Sequence, residues 1–182
     1  PSKLFCSEVA SSAYRDVGVT LWMGLSTITR PGIRHWLSQL GVRHFETQEP
    51  SDLEYDPQLV VVAEWRDLAT LWQDHVDNAV LDAMLEDADS GTGLGYPWYR
   101  LPLVRLAKAY SAVRVVSGGH GPIPEGMSPE SALRHEAFVK RQRWLAARVQ
   151  ATAAAIEAKQ GYRPSYWALV DLARQELSAE AL

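Results

Sequence analysis

The chain has 182 residues, of which 47% are hydrophobic, so its length and composition fit one domain of ordinary size, or one domain with a helical extension, and exclude a disordered chain. The formal net charge is -4, and the one basic run, at 140–143, is short and interrupted, so nucleic-acid binding is not indicated. No apolar run approaches the roughly 18 residues that span a bilayer, so no transmembrane segment is predicted. The single cysteine, Cys6, can form neither an internal disulfide nor a thiolate metal site.

The first part of the chain predicts two short helices. The first runs from about Lys3 to Val17, with Ser2 as its N-cap and Gly18 as its left-handed stop. Its apolar residues recur at helical spacing, giving one stripe: Cys6, Val9, Ala10, Ala13 and Val17. The second helix runs from Pro31 to Leu40 and ends at Gly41, and its first position suits a proline, whose missing N–H would have been unpaired there.

The stretch that follows, 50–66, has a different pattern. Its prolines and acidic residues mark turns, and the run from Gln58 to Trp65 is rich in β-branched residues and has the length of a strand. Because this run is apolar almost throughout, we expect a strand with both faces covered. Asp52, Glu54 and Asp56 alternate as in a calcium loop, but the glycine and terminal glutamate of such a loop are missing, so a turn is predicted.

From Asp67 onward the pattern is nearly all helical. Asp67 caps a helix with an apolar stripe between Leu68 and Met84, which ends at the glycine-rich loop "DSGTGLGYPWYR". Another helix covers about 103–116 and is followed by a second glycine-rich segment, "SGGHGPIPEG". Trp72, Trp98, Trp144 and Trp167 could form a ligand surface, although their helical spacing favours a place in the core.

The last part of the chain predicts two further helices. Ser128 caps a long helix that begins at Pro129, reaches Gln160 and stops at Gly161. A final helix covers about 164–177.

Cys6 is the sharpest candidate for chemistry, because unpaired N–H groups and the helix dipole in a first helical turn favour the reactive thiolate. The alternative is a small buried side chain, since free cysteine is among the most buried residue types. A nucleophilic cysteine also needs a base within hydrogen-bond reach. The surroundings of His35 and His44 favour surface histidines, no triad is indicated, and metal-ligand spacing is absent from the full set: His35, His44, His75, His120 and His135.

Two stretches, "LFCSEVASSAYRDVGVTLW" and "PSDLEYDPQLVVVAEW", resemble the C-terminal half of the permuted papain-like amidases. These are a circularly permuted branch of the NlpC-type cysteine hydrolases, found mostly in bacteria. The matching residues are Cys6, Ser7, Glu8, Val9 and Tyr14 in the helix, then Pro50, Asp52, Leu53 and 58–62 in the turn and strand. The resemblance implies an α+β fold: the C-terminal part of a permuted papain-like core, with a cysteine helix and a strand, at 1–66, followed by a mainly helical extension at 67–182.

By this resemblance the chain is a cysteine-dependent hydrolase that uses no cofactor and no metal. Cys6 attacks an amide or ester carbonyl to form a thioester that water cleaves, and Ser7 and Glu8 support the motif. The substrate would be a small-molecule, lipid or peptide amide or ester. In the permuted order the catalytic histidine precedes the cysteine, so we expect a fragment or processed product whose base lies in a missing upstream segment, with self-association as a further option.

The alternative hypothesis is a non-catalytic helical interaction module. In that case Cys6 is a core residue and the papain-like part is a structural remnant. A signal peptide would lie upstream of Pro1, so the sequence leaves the compartment open.

Overall fold

The computed structural model describes residues 6–21, 24–47, 53, 56–60, 62–63, 67–116, 118–124 and 126–180; at 6–8 and 116 it describes the backbone alone. The chain divides into two compact units, one made of 1–29 and 44–66, the other of 30–43 and 67–182. The second unit thus takes in one helix that precedes position 66. The division into 1–66 and 67–182 stays a prediction.

The first unit contains one helix and one small sheet among its described residues. Helix α1 (Cys6–Asp16) is followed by Gly18 at φ 85°, the left-handed stop that the sequence predicts. Strands β1 (Ser26–Thr27) and β2 (Glu46–Thr47) pair antiparallel, with Ser26 opposite Thr47. Among the described side chains of the predicted apolar stripe, Val9 in α1 and Val17 just after it face solvent.

The predicted α+β fold with a papain-like core is wrong. Six α-helices and one sheet of two two-residue strands make up the α and β structure of the described residues. The strand predicted over Gln58 to Trp65 does not form at its described residues, where Val60 and Val62 are 83% and 95% exposed. A fully buried strand needs a paired neighbour and a layer on each face, and β-propensity supplies neither.

The second unit is a bundle built on three helices. Helices α3 (Leu68–Asp89), α5 (Pro129–Gln160) and α6 (Tyr166–Glu180) surround one apolar core, with α5 antiparallel to the other two. The core side chains come from all three helices: Val76, Ala79, Val80, Ala83, Met84, Leu145, Ala146, Val149, Ala153, Leu169, Val170, Ala173 and Leu177. Helices α2 (Pro31–Gln39) and α4 (Leu101–Val116) pack on this bundle.

The ends of the long helices confirm the predicted caps. The side chain of Asp67 accepts hydrogen bonds from the backbone N–H groups of the first turn of α3. Ser128 accepts from the N–H of Ser131 at the start of α5. Gly161, at φ 82°, ends α5 in the left-handed conformation that favours glycine.

Helix α2 reaches the bundle through a close backbone contact and a ring contact. A Cβ placed on Gly32 would lie 2.6 Å from the Cα of Asp89, so only glycine lets α2 approach the end of α3 this closely. Trp36 is buried, and its ring meets that of Phe138 on α5 edge to face, with centroids 5.1 Å apart. These two contacts place α2 in the same unit as α3 and α5.

Candidate interaction surface

Helix α4 is held on the bundle by one face. On that face Ser111 is buried, and its hydroxyl donates to the carbonyl of Ala107 and accepts from the N–H of Ile123. Gly121 passes so close that an added Cβ would lie 2.2 Å from the Cα of Ser111. The segment after α4 therefore folds back on its inner face and fixes which side of the helix points outward.

The outward side of α4 carries a row of large apolar side chains, which we call the α4 stripe: Tyr99, Leu103, Leu106, Tyr110 and Val113. Tyr99 belongs to the 3₁₀ turn Trp98–Arg100 that runs directly into α4. The spacing alternates four and three residues, so all five lie along one side of the helical stretch. Each side chain is between 56% and 69% exposed, so the described residues leave most of the stripe open to solvent.

The residues along the two borders of the α4 stripe are small and mostly uncharged. Pro102 and Ala109 lie along one border, and Ala107 lies along the other. Arg105 and Lys108 point away from the stripe: Arg105 pairs with Glu130 at 3.6 Å, and the Lys108 ammonium donates to the carbonyl of Pro124 at 3.2 Å. A second helix could therefore approach the stripe without desolvating either cation.

An open groove of about 530 Å³ begins beside the first residue of the stripe. Tyr99 forms one wall, and Trp144 of α5 forms part of another. The ion pair between Arg100 and Glu136, 2.7 Å long, lines the groove, and the hydrogen bond that the Arg100 guanidinium donates to the Glu136 carboxylate raises the pKa of Arg100. Among the described residues, the lining of the groove contains neither cysteine nor histidine, and the groove extends the exposed surface beside the stripe.

The described structure does not test the residues predicted to carry catalysis. The backbone of Cys6 begins α1, but the side chains of Cys6, Ser7 and Glu8 lie outside the described residues, so their roles stay a prediction. All five histidines are exposed, as expected for His35 and His44. Within the part of the chain that the structure describes, no three His, Cys, Asp or Glu side chains are close enough to hold a metal ion.

The expectation that the tryptophans belong to the core is wrong for three of the four. Trp72 packs against the bundle core, but Trp98 is 76% exposed and Trp167 is 68% exposed. Trp144 is partly exposed beside the groove, with the guanidinium of Arg148 over its ring at 5.5 Å. Helical spacing predicts that side chains share a face, but it does not predict which face a neighbouring helix covers.

Sequence reasoning found helix α4 but missed its stripe. The signal was present in the spacing of Leu103, Leu106, Tyr110 and Val113. It was masked because the inner face is also apolar in part, with Leu101 and Val104 among its residues, so the helix shows no clear division into apolar and polar sides.

No family model, curated protein or solved structure matches this chain. None of the described helices combines the length and the apolar character that crossing a membrane requires.

Proposed function

We propose that this chain is a helical interaction module that docks another α-helix on the α4 stripe. The observation that carries the proposal is the exposure of five large apolar side chains in a single row. Full burial of such a side chain is worth about 1.5–3 kcal/mol, so burial of the exposed part of each leaves roughly 1–2 kcal/mol available to a partner. Summed over the stripe, this is comparable with the cost of bringing two proteins together.

The shape of the stripe favours a helix over other ligands. From Tyr99 to Val113 it is about 21 Å long and one side chain wide, with alternating spacings of four and three residues. A partner helix fills such a seam by placing its own apolar side chains between these. Nucleic acid would require a row of cations instead, and here Arg105 and Lys108 point elsewhere.

A synthetic helical peptide tests the proposal. The peptide carries leucine at every a and d position of three heptads and glutamate on its exposed side, and its binding to dilute protein is followed by fluorescence anisotropy. We expect saturable binding to the natural chain and binding at least about tenfold weaker to Leu103→Gln/Leu106→Gln, because each leucine contributes on the order of 1 kcal/mol. Equal binding to the double variant would contradict the proposal.

The matched control is Leu68→Gln, which changes a leucine of similar exposure, 74%, on α3 and outside the stripe. It should bind the peptide as the natural chain does. Urea unfolding of the dilute proteins shows whether the stripe is open in the folded chain. The double variant should then lose at most about 1–2 kcal/mol, since most of each side chain is already solvated; a loss of about 4 kcal/mol or more would mean that the stripe is core.

The thiol hydrolase hypothesis remains a separate proposal about Cys6, without the papain-like fold that first suggested it. Its test is the pH dependence of Cys6 alkylation in the folded protein. A thiol that reacts with a pKa well below the ordinary value supports a nucleophile. A thiol that reacts only after unfolding supports a core cysteine and leaves the interaction module as the function of the chain.

A further inference from the structure

We infer that the helix docked on the α4 stripe belongs to a second copy of this chain, with the two α4 helices antiparallel about a twofold axis. This inference rests on the proposed function, because it names the partner of the same surface. It is carried by the self-complementary order of the stripe, its small borders, the direction of its charges and its area.

The order of side chains along α4 is complementary to itself when one helix is reversed. With the axis level with residue 108, Leu103 meets Val113 of the second copy, and Leu106 meets Tyr110 of the second copy. Each of these two pairs joins a leucine of one copy to a residue of different shape in the other copy, and the twofold axis generates each pair a second time. Closed twofold dimers are the commonest oligomers because one patch serves both partners.

The border residues level with the axis are alanines. Ala107 and Ala109 flank the stripe level with the axis, one on each border, and neither side chain extends beyond its Cβ. Small residues at such positions let two helices approach closely, so that the large side chains above and below can interdigitate.

The charges of α4 do not oppose this pairing. Arg105 and Lys108 lie roughly 120° and 180° round the helix from the centre of the stripe and are engaged within their own chain. Arg114 lies at the border, where reversal brings it towards Arg100 of the second copy. That arginine already has Glu136 at 2.7 Å, which offsets the like charge.

The exposed area is close to what a stable dimer needs. The aromatic side chains Tyr99 and Tyr110 are each more than half exposed, as are Leu103, Leu106 and Val113. Together they offer roughly 600 Å² per copy. Stable interfaces bury about 800 Å² per partner, and backbone and alanine atoms along the borders supply much of the remainder.

Sedimentation velocity of the full chain, from low to high micromolar concentration, tests the inference. We expect a monomer–dimer equilibrium in the natural chain and in Leu68→Gln, and a dissociation constant at least about tenfold higher in Leu106→Gln, because the axis places this leucine in two layers. A natural chain that stays monomeric throughout, or a dimer that Leu106→Gln leaves unchanged, would overturn the inference.

Cysteine cross-linking tests the antiparallel arrangement. Cys6 is the only cysteine, so Cys6→Ser gives a thiol-free background into which Ala109→Cys or Ala112→Cys is placed. Ala109 lies near the axis, whereas Ala112 is exposed on the same helix but roughly 140° from the centre of the stripe. A short bismaleimide should join two chains through position 109 and not through position 112; the reverse result would contradict this interface.

Failure of the inference differs from failure of the proposed function. If the natural chain is monomeric but still binds the leucine peptide through the stripe, the partner is a helix of another protein and the second copy is excluded. If the dilute double variant Leu103→Gln/Leu106→Gln is destabilised as much as a variant of the core, the stripe is not a free surface and both proposals fail.

Discussion

Substitution of Gly32 by alanine should destabilise the second unit, although alanine is the better helix former. The added Cβ would lie 2.6 Å from the Cα of Asp89 and 2.9 Å from the carbonyl oxygen of Ala88. Both are backbone atoms that cannot rotate away, so α2 must shift and Trp36 must lose part of its contact with Phe138. Overpacking of this kind costs about 1–3 kcal/mol, and the gain in helix propensity returns about 0.5–1 kcal/mol. The net loss should be about 1–2 kcal/mol.

Urea unfolding followed by far-UV circular dichroism measures this loss. The matched control is Gly95→Ala in the same unit, where an added Cβ meets no atom within 4 Å. With no clash, that substitution restricts the unfolded chain and should raise stability by about 0.4–1 kcal/mol. The two variants are therefore expected to have opposite signs. A Gly32→Ala protein as stable as the natural chain, or more stable, would refute the packing of α2 against the end of α3.

Two further predictions concern the bundle. Leu145→Ala, at a fully buried position of α5, should cost about 3 kcal/mol in the same urea assay, and a loss below about 1 kcal/mol would show that Leu145 is not enclosed by α3 and α6. Burial, and the hydrogen bond that the Tyr166 hydroxyl donates to the Asp82 carboxylate, raise the pKa of Tyr166 from 10.0 to about 12. The contribution of Tyr166 to the free energy of unfolding is therefore fully present below pH 10 and is lost between pH 10 and 12, by about 1–2 kcal/mol for this partly exposed group. Tyr166→Phe should remove this loss, and a pH profile that the substitution leaves unchanged would contradict the prediction.

The sequence predicted the helical part of the fold because its signals there are local. Capping side chains such as Asp67 and Ser128 satisfy N–H groups within three residues, and Gly161 supplies a left-handed conformation at one position. None of these signals depends on distant parts of the chain. They therefore predicted the limits of α5 to the residue, and those of α2 and α3 to within one or two.

The sequence could not predict features that depend on what covers a residue. The run from 58 to 65 has the composition of a strand, but Val60 and Val62 lie in solvent because no neighbouring strand pairs with them among the described residues. In the same way, α4 has two partly apolar sides, and only the return of Gly121 and Ile123 over Ser111 decides which one remains open. Tertiary packing, and not local sequence, decides which side of such a segment is covered.

The most direct test of the central claim is hydrogen exchange of the α4 amides at low and high protein concentration. If the α4 stripe docks a second copy, exchange across 101–116 should slow as concentration rises, because the paired helix opens less often, and the core amides of α3 and α6 should slow only by as much as association raises the free energy of global unfolding. Leu106→Gln should abolish this concentration dependence, and Leu68→Gln should preserve it. Exchange in α4 that is the same at every concentration would contradict the account.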